Sequence, residues 1–296
     1  LAEIYRGQGL YSKAEPLYLR ALAISEKALG VEHLDTARSL NELALLYSDQ
    51  GLYSKAETLH TRALMIEEKA LGLDHPNTAL NLNNLGEIYR LQGNYQKAQD
   101  FHERALVIRV KTLGVEHQSV ANSLHNLGLL YAQQGSFSKA ETTMQRALEI
   151  NEKVLGVEHP YTASSLNNLA NLYSRQGLYS KAEPLFLRAL AINEKALGPV
   201  HPDTATSLNN LAALYREQGL YSKAEPIVKR ALAIREKALG PEHPLTAISL
   251  NNLAGLYREQ GLYSKAEPMY LRSLAIEEKA LGAEHPDTAT SLNNLA

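Results

Sequence analysis

Residues 155–183 read LGVEHPYTASSLNNLANLYSRQGLYSKAE, a stretch punctuated by Gly156 and Gly177. Both glycines recur. Gly9, Gly51, Gly93, Gly135, Gly177, Gly219 and Gly261 fall every 42 residues, and so do Gly30, Gly72, Gly114, Gly156, Gly198, Gly240 and Gly282. A fixed period of this length means that one supersecondary unit is stacked on copies of itself. The pattern predicts a single array over 1–296, with seven periods and both ends cut inside the first helix of a unit.

The segments between the glycines are helical. In Tyr53–Leu71 the apolar or small residues Ala56, Leu59, Ala63, Leu64, Ile66 and Leu71 have helical spacing. In the partner segment, Thr36–Gln50, Leu40, Leu43, Ala44 and Tyr47 form one stripe. Each period is therefore a pair of amphipathic helices. Ser12, Ser54, Ser138, Ser180, Ser222 and Ser264 each precede a Glu by three residues, which predicts a capping box at the start of the second helix. The third unit has Gln96 and Gln99 instead, so its helix start is expected to be the weakest. Pro16, Pro184, Pro226 and Pro268 are expected in the first turn of that helix. The later Gly of each unit marks its end, and His-Pro opens the next helix with Pro first. Leu43, Leu85, Leu127, Leu169, Leu211 and Leu253 are expected to be buried between the paired helices, each with the small residue that follows it.

Hydrophobic residues at 45% and charged residues at 21% suit a folded chain and not a disordered one. A formal charge of −2 gives no electrostatic reason to expect nucleic acid or an anionic membrane as partner. The chain has no Cys, hence no disulfide framework and no thiolate chemistry, which favours a cytoplasmic reading. No stretch approaches the length of a membrane span, and Leu1 does not open a signal peptide.

Two helices per 42 residues also fit HEAT or armadillo arrays, and propeller blades have a similar length. A propeller fails because Trp is absent and no window alternates with period two. The order of residues across Asn168–Glu183 decides against HEAT: Leu169, Ala170, Tyr173, Gly177, Tyr179 and Ala182 follow the pattern of the tetratricopeptide repeat, which the chain resembles. It is similar above all to the longer repeat of kinesin light chain, whose units join through LG-x-x-HP, here Leu155–Pro160, followed by Thr162-Ala163 and Leu166–Ala170. Leu40, Leu82 and Leu124 stand where the shorter form favours Trp, as the longer class does. The resemblance covers all seven units. It implies an all-α, right-handed superhelical solenoid of antiparallel helix pairs whose first helices line an inner wall that binds peptide or protein. It does not imply a motor protein.

Candidate chemistry is sparse. His33, His75, His117, His159, His201, His243 and His285 recur once per unit, so they cannot converge on one metal ion, and a role in capping or packing the linker is expected. His60, His102 and His125 are read as surface or groove residues. Pairs such as Glu67-Glu68 and Glu277-Glu278 point apart on a helix, which suits a solvated face and not acid/base catalysis. No catalytic-triad order, phosphate loop or Walker motif is present, so the chain is read as non-enzymatic and without cofactor or metal. The ladder of Tyr5, Tyr47, Tyr89, Tyr131, Tyr173, Tyr215 and Tyr257 lies on the Leu stripe, which predicts core packing with one partner for each hydroxyl and not a base-stacking platform.

The remaining face of the first helix carries two ladders of amides. One contains Asn41, Asn83, Asn167, Asn209 and Asn251, with His125 interrupting it; the other contains Asn84, Asn126, Asn168, Asn210 and Asn252. An amide both donates and accepts, so either row is suited to hold the main chain of an extended peptide. The resemblance implies this role, whereas bonding between neighbouring helices is the alternative. The least uniform positions share this face: Glu3, Leu45, Glu87, Leu129, Asn171, Ala213 and Gly255 form one set, and Arg6, Ser48, Arg90, Ala132, Ser174, Arg216 and Arg258 another. Arg90, Arg175, Arg216 and Arg258 complete the candidate peptide groove. Acidic residues balance them, so a mixed-charge segment fits better than a carboxylate clamp.

The chain is thus read as a scaffold for a protein or peptide partner, with a structural spacer or self-assembling head-to-tail array as the alternative. The latter follows from Leu1, Ile4, Tyr5, Leu292 and Leu295, which leave complementary apolar surfaces if the array is cut where the sequence stops.

Overall fold

The structure, a computed structural model, describes residues 1–283 and 285–295, all of them in helices or short connections. Glu284 of the last linker and Ala296, where the array is read as cut, lie outside the described residues. The chain divides into two compact units, Leu1–Val154 and Leu155–Ala296. The first contains α1 (Ala2–Gly7), α2 (Tyr11–Leu29), α3 (Leu34–Asp49), α4 (Tyr53–Leu71), α5 (Pro76–Leu91), α6 (Tyr95–Leu113), α7 (Gln118–Gln133) and α8 (Phe137–Leu155), which ends at the boundary. The second contains α9 (Pro160–Arg175), α10 (Tyr179–Ala196), α11 (Pro202–Glu217), α12 (Tyr221–Ala238), α13 (Pro244–Glu259), α14 (Tyr263–Ala280) and α15 (Pro286–Leu295). Within each unit a helix packs on its sequence neighbours, most extensively inside pairs such as α3 with α4 and α11 with α12.

Glycine sets the first turn of the hairpin. Gly51 has φ of 70°, and the bonds from Leu52 N–H to Tyr47 C=O (2.8 Å) and from Gly51 N–H to Ser48 C=O (3.0 Å) close a Schellman motif. A side chain is strained at that φ, so the glycine is needed. The linker to the next repeat is held by side chains. His33 Nδ1 accepts from Asp35 N–H at 3.1 Å and caps α3, as the histidine ladder predicts. Thr36 donates to the Gly30 carbonyl at 2.8 Å and is fully buried, and Thr204 donates to Gly198 at 2.8 Å in the second unit. Ion pairs such as Lys69 to Glu32 (2.5 Å) and Lys195 to Glu158 (2.6 Å) cross five of the linkers, but both partners are largely exposed and each pair contributes only about 0 to 1 kcal/mol. In the linker that carries Val200 in place of the acid, Lys237 has no such pair.

The core follows the predicted stripe. Leu43, Leu85, Leu127, Leu169, Leu211 and Leu253 are buried, and Ala44, Ala170 and Ala254 beside three of them are fully so. The tyrosines belong to this core too. Tyr47, Tyr89, Tyr215 and Tyr257 are buried and donate to Glu15, Glu57, Glu183 and Glu225 at 2.7 to 3.0 Å. Burial, followed by the carboxylate, pushes the hydroxyls of Tyr47, Tyr89 and Tyr215 up to about 12, so they remain donors.

Those same glutamates correct the expected capping box. The second helices begin one residue before the serine, after Leu10, Leu52, Leu178, Leu220 and Leu262, and none of these starts has a side-chain cap. The glutamate reaches across to the tyrosine of the adjacent helix instead of back to its own helix start. The third unit, expected to be weakest, has the defined side-chain cap: Asn94 Oδ1 accepts from Lys97 N–H at 3.3 Å. The earlier start also moves the prolines from the first turn to the helix interior, Pro16 being the sixth residue of α2. Where Thr58 replaces proline, its hydroxyl bonds the Ser54 carbonyl at 2.9 Å, the acceptor that a proline leaves without its helical N–H.

Candidate functional site

The two asparagines that follow each Leu on the first helix have different environments. Adjacent helical residues are 100° apart, so one turns toward the neighbouring helices while the other turns away. The first ladder is largely buried and bonded. Asn167 donates to Ser207 Oγ at 3.0 Å and Asn209 to Ser249 Oγ at 2.9 Å, each joining its helix to the first helix of the next repeat. Asn251 donates to Ser291 (2.7 Å) and Glu277 (3.1 Å), and Asn41 to Glu67 (3.1 Å). Asn83 lies between His102, Ser123 and Arg109, and its amide is satisfied when its NH2 faces His102 and its oxygen faces Ser123 and Arg109. The amides of Asn167 and Asn209, expected to be free for a guest, are thus committed to neighbouring helices.

The second ladder has the opposite character. Asn84, Asn126, Asn210 and Asn252 are half-buried and make no hydrogen bond within the protein. Asn168 is half-buried on the same row. In the second unit the first helices α9, α11 and α13 are neighbours, so Asn168, Asn210 and Asn252 follow one another along a row. The arginines differ individually. Arg90 holds Glu87 through two bonds of 2.7 and 2.5 Å, and Arg216 pairs loosely with Glu259 at 3.6 Å. Arg258 lies over the Tyr270 ring at 5.9 Å, and Arg175 is exposed with no protein partner. The Arg6 guanidinium approaches Asp49 at 3.4 Å, so opposite charges alternate along this face.

The sequence matches the tetratricopeptide repeat family over residues 1–66, 55–109, 78–153, 119–195, 161–237, 203–279 and 255–296. The chain is a tetratricopeptide repeat protein. Among solved structures it is similar to BtubC (BKLC) from P. vanneervenii, with 28% identity, TM-score 0.61, and coverage of 78% of this chain and 92% of that one. A protein from Podosopora anserina, described as a kinesin light chain with nearly identical TPR-like repeats, is 30% identical with TM-score 0.56, covering 70% and 98% of the two chains. The apo form of RapI shares the fold at TM-score 0.66 and 18% identity, over 94% of this chain and 98% of that one. No curated protein matches the sequence. Among the described residues no helix is long and apolar enough to cross a membrane.

These tetratricopeptide repeats contain a buried polar layer that the sequence reading missed. Glu67, Arg109, Asn193, Arg235 and Glu277 occupy one position of the second helix, and all are buried. Asn193 donates to Ser207 Oγ at 3.0 Å, sharing that acceptor with Asn167. Arg235 donates to the Leu245 carbonyl (2.6 Å), Ser249 Oγ (3.2 Å) and Thr206 Oγ1 (3.1 Å), and burial lowers its guanidinium to about 10. Glu67 and Glu277 are therefore not members of a solvated face, although Glu68 does point away to meet Arg104 at 2.6 Å. The signal was present as a polar residue at a fixed distance of 26 after the first Asn of each unit, on the stripe that also carries Ile66 and Ile108.

His60 and His102 need the same correction: both are fully buried, at the second-helix position filled by Met144 and Phe186 elsewhere. His102 faces Gly86 of the first helix, where an added Cβ would meet its ring at 2.7 Å, and His60 Nδ1 lies 2.9 Å from Asn41 Oδ1. Burial lowers both imidazoles to about 4, leaving them neutral near pH 7. His125 is half-buried, also with its pKa lowered by burial.

Proposed function

We propose that the chain is a non-enzymatic scaffold that binds an extended segment of a protein partner along the first helices of its repeats. The observation that carries this reading is the contrast between the two Asn ladders. Amides of the first ladder spend their NH2 donors on neighbouring helices, whereas Asn84 and Asn126 in the first unit and Asn210 and Asn252 in the second keep donor and acceptor unspent in a partly open setting. Neutral amides at a repeating interval match the repeating amides of a main chain, which supplies affinity without sequence preference. Selectivity then falls to Leu45, Glu87, Leu129, Asn171, Ala213 and Gly255, which differ along the same face while the Leu stripe of the first helix is uniform. Membership in the tetratricopeptide repeat family supports a protein-binding role in general.

A random peptide library displayed against the immobilised chain tests this. Enrichment of defined peptides, lost when Asn84, Asn126, Asn210 and Asn252 are all changed to Ala in a variant with unchanged helicity and melting, is the expected outcome. Within one unit, two neutral hydrogen bonds at about 0.5 to 1.5 kcal/mol each predict a loss of at least about five-fold. Enrichment that survives those changes overturns the reading, and capture of only the chain itself favours a self-assembling spacer.

A further inference from the structure

We propose that a pocket in the second unit, floored by Glu277 and opened by Gly255, receives a cationic side chain, lysine or arginine, of the bound segment. The proposal rests on the groove reading and specifies one subsite within it. The pocket has a volume of 340 Å³, at the lower end of the range for ligand sites and more than a single ion fills. Gly255 creates the opening. It is the glycine in a set whose other members include Leu45, Leu129 and Asn171, and a Cβ there would lie 3.3 Å from Arg216 Nη1 and 3.5 Å from the Tyr270 hydroxyl.

The floor decides the sign of the occupant. Glu277 is only 3% exposed, and its Oε1 accepts from Asn251 at 3.1 Å and Ser273 at 3.3 Å, but its Oε2 has no partner. Asn251 Oδ1, beside it, is also buried and without a donor. The unspent buried atoms lining the pocket are therefore acceptors, so a complementary occupant must donate. Charge gives the same answer. Burial above all pushes the Glu277 carboxyl up, against hydrogen bonds from Ser291, Ser273 and Asn251, and the Asp287 carboxylate adds to the rise. Arg216 and Arg258 also line the pocket, but Arg216 is turned to Glu259 at 3.6 Å and Arg258 to the Tyr270 face, so among the described residues no cation pairs with Glu277. A buried carboxylate left in this state is costly, and an ammonium or guanidinium entering past Gly255 supplies both the missing charge and the missing hydrogens.

The test uses single-residue probes on the full chain, followed through the amide signals of Gly255 and Asn252 by NMR. N-acetyl-arginine amide is expected to shift these signals saturably with a dissociation constant of about 1 to 10 mM, and N-acetyl-glutamate amide to bind at least about ten-fold more weakly. Glu277→Gln removes the charge, and Gly255→Leu fills the mouth with a residue that other repeats carry at this position. Each should weaken the arginine probe by about ten-fold or more. The proposal is overturned if the glutamate probe binds as tightly, if the arginine probe does not saturate, or if Gly255→Leu leaves its affinity within about two-fold. Because a single residue does not need the asparagine row, failure here leaves the peptide selection, and the groove reading it tests, unaffected.

Discussion

Replacing His102 with Met should remove a defined share of the protein's acid sensitivity. The imidazole is fully buried against Gly86, and its pKa is lowered by burial from 6.5 to about 4. The folded form therefore holds His102 neutral while the unfolded chain takes up its proton. For a depressed histidine the stability is complete above pH 6.5 and is lost as pH falls toward 4. Between pH 7.5 and pH 4.5 a gap of this size amounts to about 2.5 kcal/mol. Methionine is the natural replacement because Met144 already packs against Gly128 in the next repeat, where an added Cβ would meet its Cγ at 2.6 Å. At pH 7.5 the exchange leaves the buried Asn83 amide without its imidazole partner and should cost about 1 to 3 kcal/mol, an offset common to both pH values. Repeat arrays open segment by segment, so the proper readout is amide hydrogen exchange in α5 and α6 at the two pH values. The native chain should lose about 2.5 kcal/mol more protection than His102→Met on acidification. Equal losses in the two proteins would refute the buried, neutral histidine.

Three further outcomes follow from the packing. Leu169→Ala, at a buried position of α9, should cost about 2 to 5 kcal/mol in urea unfolding of the second unit. Ser207→Ala deprives both Asn167 and Asn193 of their shared acceptor and should cost about 1 to 3 kcal/mol, with no effect on any ligand that the second ladder holds; calorimetric melting together with peptide titration separates the two. Asn94→Ala removes the side-chain cap of α6 and should lower the protection of its first turn by about 0.5 to 2 kcal/mol, whereas Ser54→Ala at the corresponding start of α4 should lower it by less.

The fold was legible because it is written seven times. Two glycines, a Leu stripe and a His-Pro start recur at one interval, and the structure uses them as a Schellman turn, a core and a capped linker. Local capping was less legible, since Ser12 and Glu15 satisfy the capping-box spacing while Tyr47 of the adjacent helix makes the better use of the glutamate. That partner is a tertiary neighbour, which no local pattern specifies. The site was half legible. Both Asn ladders could be read from the sequence, but the 100° between Asn209 and Asn210 decides which amide meets Ser249, and that depends on where the next repeat packs. The buried charges of Arg235 and Glu277 were hidden for the opposite reason: charged residues are rarely buried, so a stripe position that varies in charge reads as surface until its neighbours are known.

Photo-crosslinking reports where on the repeats the partner lies. p-Benzoylphenylalanine replaces Ala213, half-buried on α11 among the second ladder, in one variant, and Lys237, exposed on α12, in another. With a peptide enriched by the native chain, irradiation should join the peptide to position 213 and leave position 237 unlabelled. Labelling at 237 with none at 213 would contradict the account.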